Sequence, residues 1–146
     1  MTGATEILVV DDNPADSDLT RDVIQRNHPL SSVSAVVNGL EAMAFLRREG
    51  RYSGVPRTHF VILDLNMPVR DGRAVLAEAK SNPALQTIPI VVFTSSQAAS
   101  DVQSAYALGA NCYVSKPGNL QDYTSTVKAI AEFWLSSVSL SCDEEL

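Results

Sequence analysis

Cysteine is nearly absent from this sequence: Cys112 and Cys142 stand alone, with no Cys-x-x-Cys spacing and no histidine placed to share a metal. That excludes a zinc module and a disulfide framework, and reads both as free thiols. Long apolar runs are missing as well. The longest, Ala42 to Leu46, is five residues, far short of the ~18 that would suggest a membrane span. Basic clusters are lacking too, Arg47 and Arg48 being the only adjacent pair in a chain of formal net charge −6. A chain of that sign does not attract a phosphate backbone, so direct nucleic-acid binding is not expected. Met1 to Glu6 carries an acid instead of a basic leader, and four apolar residues follow before Asp11. A secretory signal does not look like that, and the expected address is the cytoplasm.

What is present fits one compact domain. The chain has 146 residues, 45% of them hydrophobic and 19% charged, enough for a single core and not for two. Runs rich in β-branched residues occur at Ile7–Val10, Val33–Val37, Phe60–Leu63, Ile90–Phe93 and Cys112–Val114. Between them, apolar residues fall at helical spacing: Ala15, Leu19 and Val23; Leu40, Met43 and Ala44; Val75, Leu76 and Ala79; Val102, Ala105 and Tyr106. A last, longer stripe runs through Tyr123, Val127, Ile130, Ala131 and Trp134. Asn13 before Pro14, and Asp71, suit helix starts, and Gly109 suits a helix stop. Strands that are apolar throughout are buried on both faces. The expectation is an α/β, flavodoxin-like doubly wound (βα)5 fold, with a parallel sheet of order 2-1-3-4-5 and helices on both faces. The domain is expected over residues 6–135. Residues 136–146 read as a polar, acidic extension, expected to fray, with no effector domain attached.

In such a sheet, ligands bind beyond the carboxyl ends of the strands, where the strand order reverses. Asp11 and Asp12 end the first strand, Asp64 ends the third, Thr94 ends the fourth and Lys116 follows the fifth. Three carboxylates against one ammonium leave a surplus of negative charge that would repel itself unless a cation joined it. An oxygen-only shell with few protein ligands suits Mg²⁺, which brings the sum to zero, and a phosphoryl group added there would be shared by the metal and Lys116.

These residues resemble the receiver domains of two-component response regulators. The resemblance rests on Asp11-Asp12 after an apolar strand, on Asp64 to Gly72, on Thr94-Ser95 and on Tyr113 to Pro117, and covers roughly Glu6 to Leu135. It implies that Asp64 is the nucleophile that takes a phosphoryl group from a histidine kinase. It also implies that Asp12 and the Asn66 backbone carbonyl bind Mg²⁺ directly, with Asp11 acting through water, and that Lys116 pairs with the phosphoryl oxygens. Thr94 would move to the phosphate and Tyr113 would swing inward, altering the surface of the fourth helix and fifth strand. A cis peptide before Pro117 is implied as well. Gly118 and Ser95 depart from the pattern, which commonly has an aromatic and an alanine there.

The ending Glu132-Phe133-Trp134-Leu135, with Asp64 to Asn66 and Asp71 to Lys80, is similar to the small regulators that partner bacterial phytochrome histidine kinases. Ile130, Phe133 and Trp134, with Val138, make an apolar arc wider than one sheet face covers, so a homodimer through the last helix is expected. His28 and His59 read as surface or helix-end residues. Two other functions are the alternatives. A Mg²⁺-dependent phosphatase with an aspartate nucleophile would need a second acid where Asn66 stands. A phosphate-independent binding module would not need Asp11, Asp12, Asp64, Thr94 and Lys116 intact.

Overall fold

The structure, a computed structural model, describes residues 4–141. Five strands and five helices alternate along the chain. They are β1 (Thr5–Val10), α1 (Pro14–Asn27), β2 (Ser31–Val36), α2 (Gly39–Arg47), β3 (Phe60–Leu63), α3 (Gly72–Ser81), β4 (Ile90–Thr94), α4 (Ala99–Ala107), β5 (Cys112–Ser115) and α5 (Leu120–Glu132). A short 3₁₀ turn, Gly50–Tyr52, lies between α2 and β3. The sheet order is β2-β1-β3-β4-β5 and every pairing is parallel, as the sequence predicts.

The continuous apolar strands feed two cores. Leu8, Val10, Val61, Leu63, Ile90 and Val92 point toward α2, α3 and α4. Their neighbours Ile7, Val9, Phe60, Ile62, Val91 and Phe93 point toward α1 and α5. Because successive strand side chains alternate in direction, burying both sets requires apolar residues at every position. Both predicted helix starts hold: Asn13 Oδ1 accepts from the backbone N–H groups of Ala15 and Asp16, and Asp71 caps α3 in the same way. Gly109 stops α4 with φ +110°.

Four sequence expectations are corrected. β2 begins at Ser31 and ends before Val37, because backbone pairing with β1, Thr5 opposite Ser31, overrides the weak strand propensity of serine. The buried stripe of α2 starts at Gly39 and runs through Ala42, Met43 and Leu46, leaving Leu40 exposed. Position 39 leaves no room for a side chain, since a Cβ would lie 2.1 Å from the Arg70 carbonyl oxygen. The stretch after residue 135 does not fray at once: Leu140 packs on the α1/α5 core, and Arg57 donates to the Ser141 carbonyl at 3.3 Å. Finally, no cis peptide occurs among the described residues, so the bond before Pro117 is trans, the isomer that X–Pro bonds intrinsically favour. Cys142 and the rest of the C-terminal extension lie outside the described residues.

One close approach matters for the site. Gly72 opens α3 directly beneath the end of β3, where a Cβ would sit 2.3 Å from the Asp64 carbonyl oxygen. Gly72→Ala should cost about 1–3 kcal/mol through overpacking against that backbone. Gly54→Ala, where a Cβ meets nothing within 4 Å, should cost little, and urea denaturation of the two variants checks the contrast.

Candidate functional site

The carboxyl ends of β1, β3, β4 and β5 meet on one rim. Asp11 follows β1 and Asp64 follows β3; the backbone N–H of Asp64 bonds the Val10 carbonyl and that of Asp11 bonds the Val36 carbonyl. Their side chains are therefore fixed by sheet registry, and each is buried, at 4% and 7% exposure. Lys116 is placed by its own backbone N–H, which bonds the Thr94 carbonyl at 2.7 Å.

Charge-assisted hydrogen bonds knit these groups together. The Lys116 ammonium donates to Asp11 Oδ2 at 2.8 Å, to Asp16 Oδ2 at 2.9 Å and to Asp64 Oδ2 at 3.1 Å. An ammonium has three N–H donors, so all are used. The other oxygen of Asp64 accepts from the Thr94 hydroxyl at 2.7 Å and from the Asn66 backbone N–H at 3.2 Å. Asp11 Oδ1 accepts from the Asn13 backbone N–H at 2.9 Å. Burial pushes the Asp11 carboxyl above its ordinary range, opposed by the bonds from Lys116 and Asn13. Burial alone would lower the Lys116 ammonium, but its bonds to Asp11 and Asp16 and the charges of Asp11 and Asp64 outweigh that and raise it.

Asp12 is exposed at the mouth of the cluster. Carboxylate oxygens of Asp11, Asp12 and Asp64 lie within 4.8 Å of one another, a spacing and a donor set that suit a hard divalent cation. The loop leaving Asp64 supports the arrangement. Leu65 and Met67 are buried in the core beneath it while Asn66 between them is exposed, and Val69 holds a left-handed backbone with φ +68°. A β-branched residue in that region is strained, and such strain is retained where the surroundings overdetermine it.

Of the residues expected from sequence, Asp11, Asp12, Asp64, Thr94 and Lys116 come together, and Asn66 adjoins them through its backbone. Tyr113 does not reach the carboxylates. Its hydroxyl donates to the Ser96 carbonyl at 2.9 Å, and the Ser96 hydroxyl donates to Asp101, which also takes Arg73 at 2.7 Å. Of the three residues expected at a dimer face, Ile130 is buried in this chain's own core and Trp134 stacks on Phe60 at 5.4 Å, leaving Phe133 exposed. The arc looked too wide because a π-helical segment, Phe133–Ser137, continues α5 and lets Trp134 reach the α1/α5 core, where it covers Phe60 of β3. His28 caps the end of α1, and His59 Nδ1 accepts from the Glu6 backbone N–H. Sequence reasoning missed Asp16. Its signal was its place in the first turn after the Asn13 cap, one helical turn beyond Asp12.

The family model for the response regulator receiver domain matches residues 7–128. The chain belongs to that family. Among curated proteins, this receiver domain is 45% identical over 134 residues to the response regulator Rcp1 of a Synechocystis species, covering 92% of this chain and 91% of that protein. Two solved structures, each 43% identical and covering 94% of this chain and 99% of theirs, superpose closely. They are the phosphorylated cyanobacterial phytochrome response regulator RcpA, at TM-score 0.91, and the Mn²⁺-bound form of Rcp1, at 0.90. Among the described residues, no helix of the receiver domain is long and apolar enough to cross a membrane.

The charges predict how stability follows pH. A folded Asp11 that holds its proton more readily than the unfolded chain makes stability fall as pH rises through the acid range. A raised Lys116 stabilises below the ordinary lysine value of ~10.5 and loses that contribution above it. Lys116→Met should cost about 3–5 kcal/mol at neutral pH, by leaving Asp11 and Asp64 buried without a counter-ion. The loss should shrink in mild acid as Asp11, raised by its burial, takes up a proton, and urea denaturation at both pH values reads the difference.

Proposed function

We propose that this receiver domain is a Mg²⁺-dependent phosphorylation switch, in which Asp64 accepts a phosphoryl group from the phosphohistidine of a sensor kinase. The observation that carries the reading is the buried Asp64 carboxylate, held by Thr94, Asn66 and Lys116 beside two further carboxylates. An Asp64 oxygen forms the new P–O bond as the kinase's P–N bond breaks, and the departing electron pair goes to the imidazole nitrogen. Asp11, Asp12, Asp64 and the Asn66 carbonyl would hold Mg²⁺, which supplies positive charge opposite the phosphoryl oxygens. Lys116 turns toward those oxygens. The Thr94 hydroxyl leaves Asp64 to donate to one of them, and Tyr113 leaves the Ser96 carbonyl to fill the space behind. The face of α4 and β5 changes in consequence, and output is through protein binding.

The likeness to RcpA and Rcp1 supports a phytochrome-type histidine kinase as the donor. We assign the chain a cytoplasmic setting and a domain spanning residues 6–135, followed by the extension 136–146. The acidic balance argues against direct binding of nucleic acid. A phosphatase is disfavoured, since Asn66 stands where a general acid would be needed.

Incubation with acetyl phosphate and Mg²⁺ should add the mass of one phosphate to wild type and none to Asp64→Asn. Unmodified wild type would contradict the reading. Phe133, 56% exposed and edge-on to Trp134, is the apolar anchor we assign to a homodimer. Sedimentation equilibrium should show a dimer for wild type and a monomer for Phe133→Asp; a monomeric wild type at micromolar concentration would remove the dimer.

A further inference from the structure

Asp16 has no part in the proposed metal shell, yet it takes one of the three N–H donors of Lys116. It stands in the first turn of α1, and its position is tightly set. Its backbone N–H bonds the Asn13 cap at 3.2 Å, and its carbonyl accepts from the Tyr123 hydroxyl at 3.2 Å. Tyr123 in turn shares a buried hydrogen bond with Thr20 at 2.8 Å, clamping α1 against α5. The Asp16 side chain is 30% exposed, against 5% and 9% for those of Asp11 and Asp64. It is thus the carboxylate partner of Lys116 that solvates most readily if the ammonium leaves.

Its charge alters the balance of the site. Four carboxylates, Asp11, Asp12, Asp16 and Asp64, surround one lysine, so a divalent cation leaves the cluster negative instead of neutral. A phosphoryl group arriving on Asp64 brings about −1.5 to −2 more charge and needs an N–H of Lys116. All three are already committed. Resting on the phosphoacceptor reading of Asp64, we propose that Asp16 is a positioning residue that competes with the phosphoryl group for Lys116. It orients the ammonium over Asp11 and Asp64 in the resting state and opposes the charged state, lowering the occupancy and lifetime of the phosphorylated form.

Beryllofluoride, an anionic phosphoryl mimic, isolates the effect when titrated at saturating Mg²⁺ with the amide NMR signals of Thr94 and Tyr113 as readout. Asp16→Asn should bind it about fivefold or more tightly, as expected for removing one like charge a few ångströms away in a partly screened site. Asp16→Glu, which keeps the charge within reach of Lys116, should return toward the wild-type affinity. Asp18→Asn removes the same charge from the exposed side of α1, where Asp18 faces Arg21, and should change nothing. The phosphorylated Asp16→Asn protein should also lose its phosphate more slowly than wild type. Equal or weaker beryllofluoride binding by Asp16→Asn would overturn the competition. A wild type that binds no beryllofluoride would instead bring down the phosphoacceptor reading, and the competition with it.

Discussion

One ammonium among buried carboxylates governs this structure. Asp11 and Asp64 are driven by sheet registry to adjacent strand ends, where two negative charges cannot be hidden from water without a partner. Lys116, delivered from β5 by its backbone bond to Thr94, is that partner in the described residues. The cluster holds together while remaining short of positive charge, and that shortage fits it to receive a divalent cation. The same shortage makes phosphorylation a large perturbation, because each added negative charge must be met by an N–H or O–H that already has another acceptor.

The wiring from this cluster to the surface is short. Thr94 bonds Asp64, and two residues further on Ser96 offers its carbonyl to Tyr113 and its hydroxyl to Asp101. Asp101 in turn holds Arg73 at the start of α3. In the switch we propose, a displacement of Thr94 would pull on the segment that anchors Tyr113 and the first turn of α4. Only Ala105 of α4 is fully buried, so this helix is the one least committed to the core, as an element that must respond to a local change should be.

Much of this was legible in the sequence, for identifiable reasons. Strands apolar at every position can only be central in a covered sheet, and Asp64 after Phe-Val-Ile-Leu has no structural excuse. Less was legible where backbone pairing or tertiary fit decides. Ser31 joins β2 because Thr5 lies opposite, and Gly39 replaces Leu40 on the buried stripe because the Arg70 carbonyl presses against it. Asp16 escaped notice because a polar residue in a first helical turn is ordinary, and only the reach of Lys116 across the sheet gives it meaning. Trp134 and Ile130 looked like surplus apolar area, but the π-helical segment that continues α5 brings Trp134 onto Phe60, and Ile130 is buried in the same core. Gly118, where an aromatic is common, borders open space, and nothing in the structure explains the small residue there.

The central claim is that Asp64 is the atom-level receiver of the phosphoryl group and that Thr94 reports its arrival. A crystal structure grown with Mg²⁺ and beryllofluoride tests both at once. The account predicts beryllium bonded to an Asp64 oxygen, a cation among Asp11, Asp12 and the Asn66 carbonyl, and the Thr94 hydroxyl moved from Asp64 to a fluoride. Beryllofluoride bound elsewhere, or bound at Asp64 with the Thr94 hydroxyl still on the carboxylate, would contradict it.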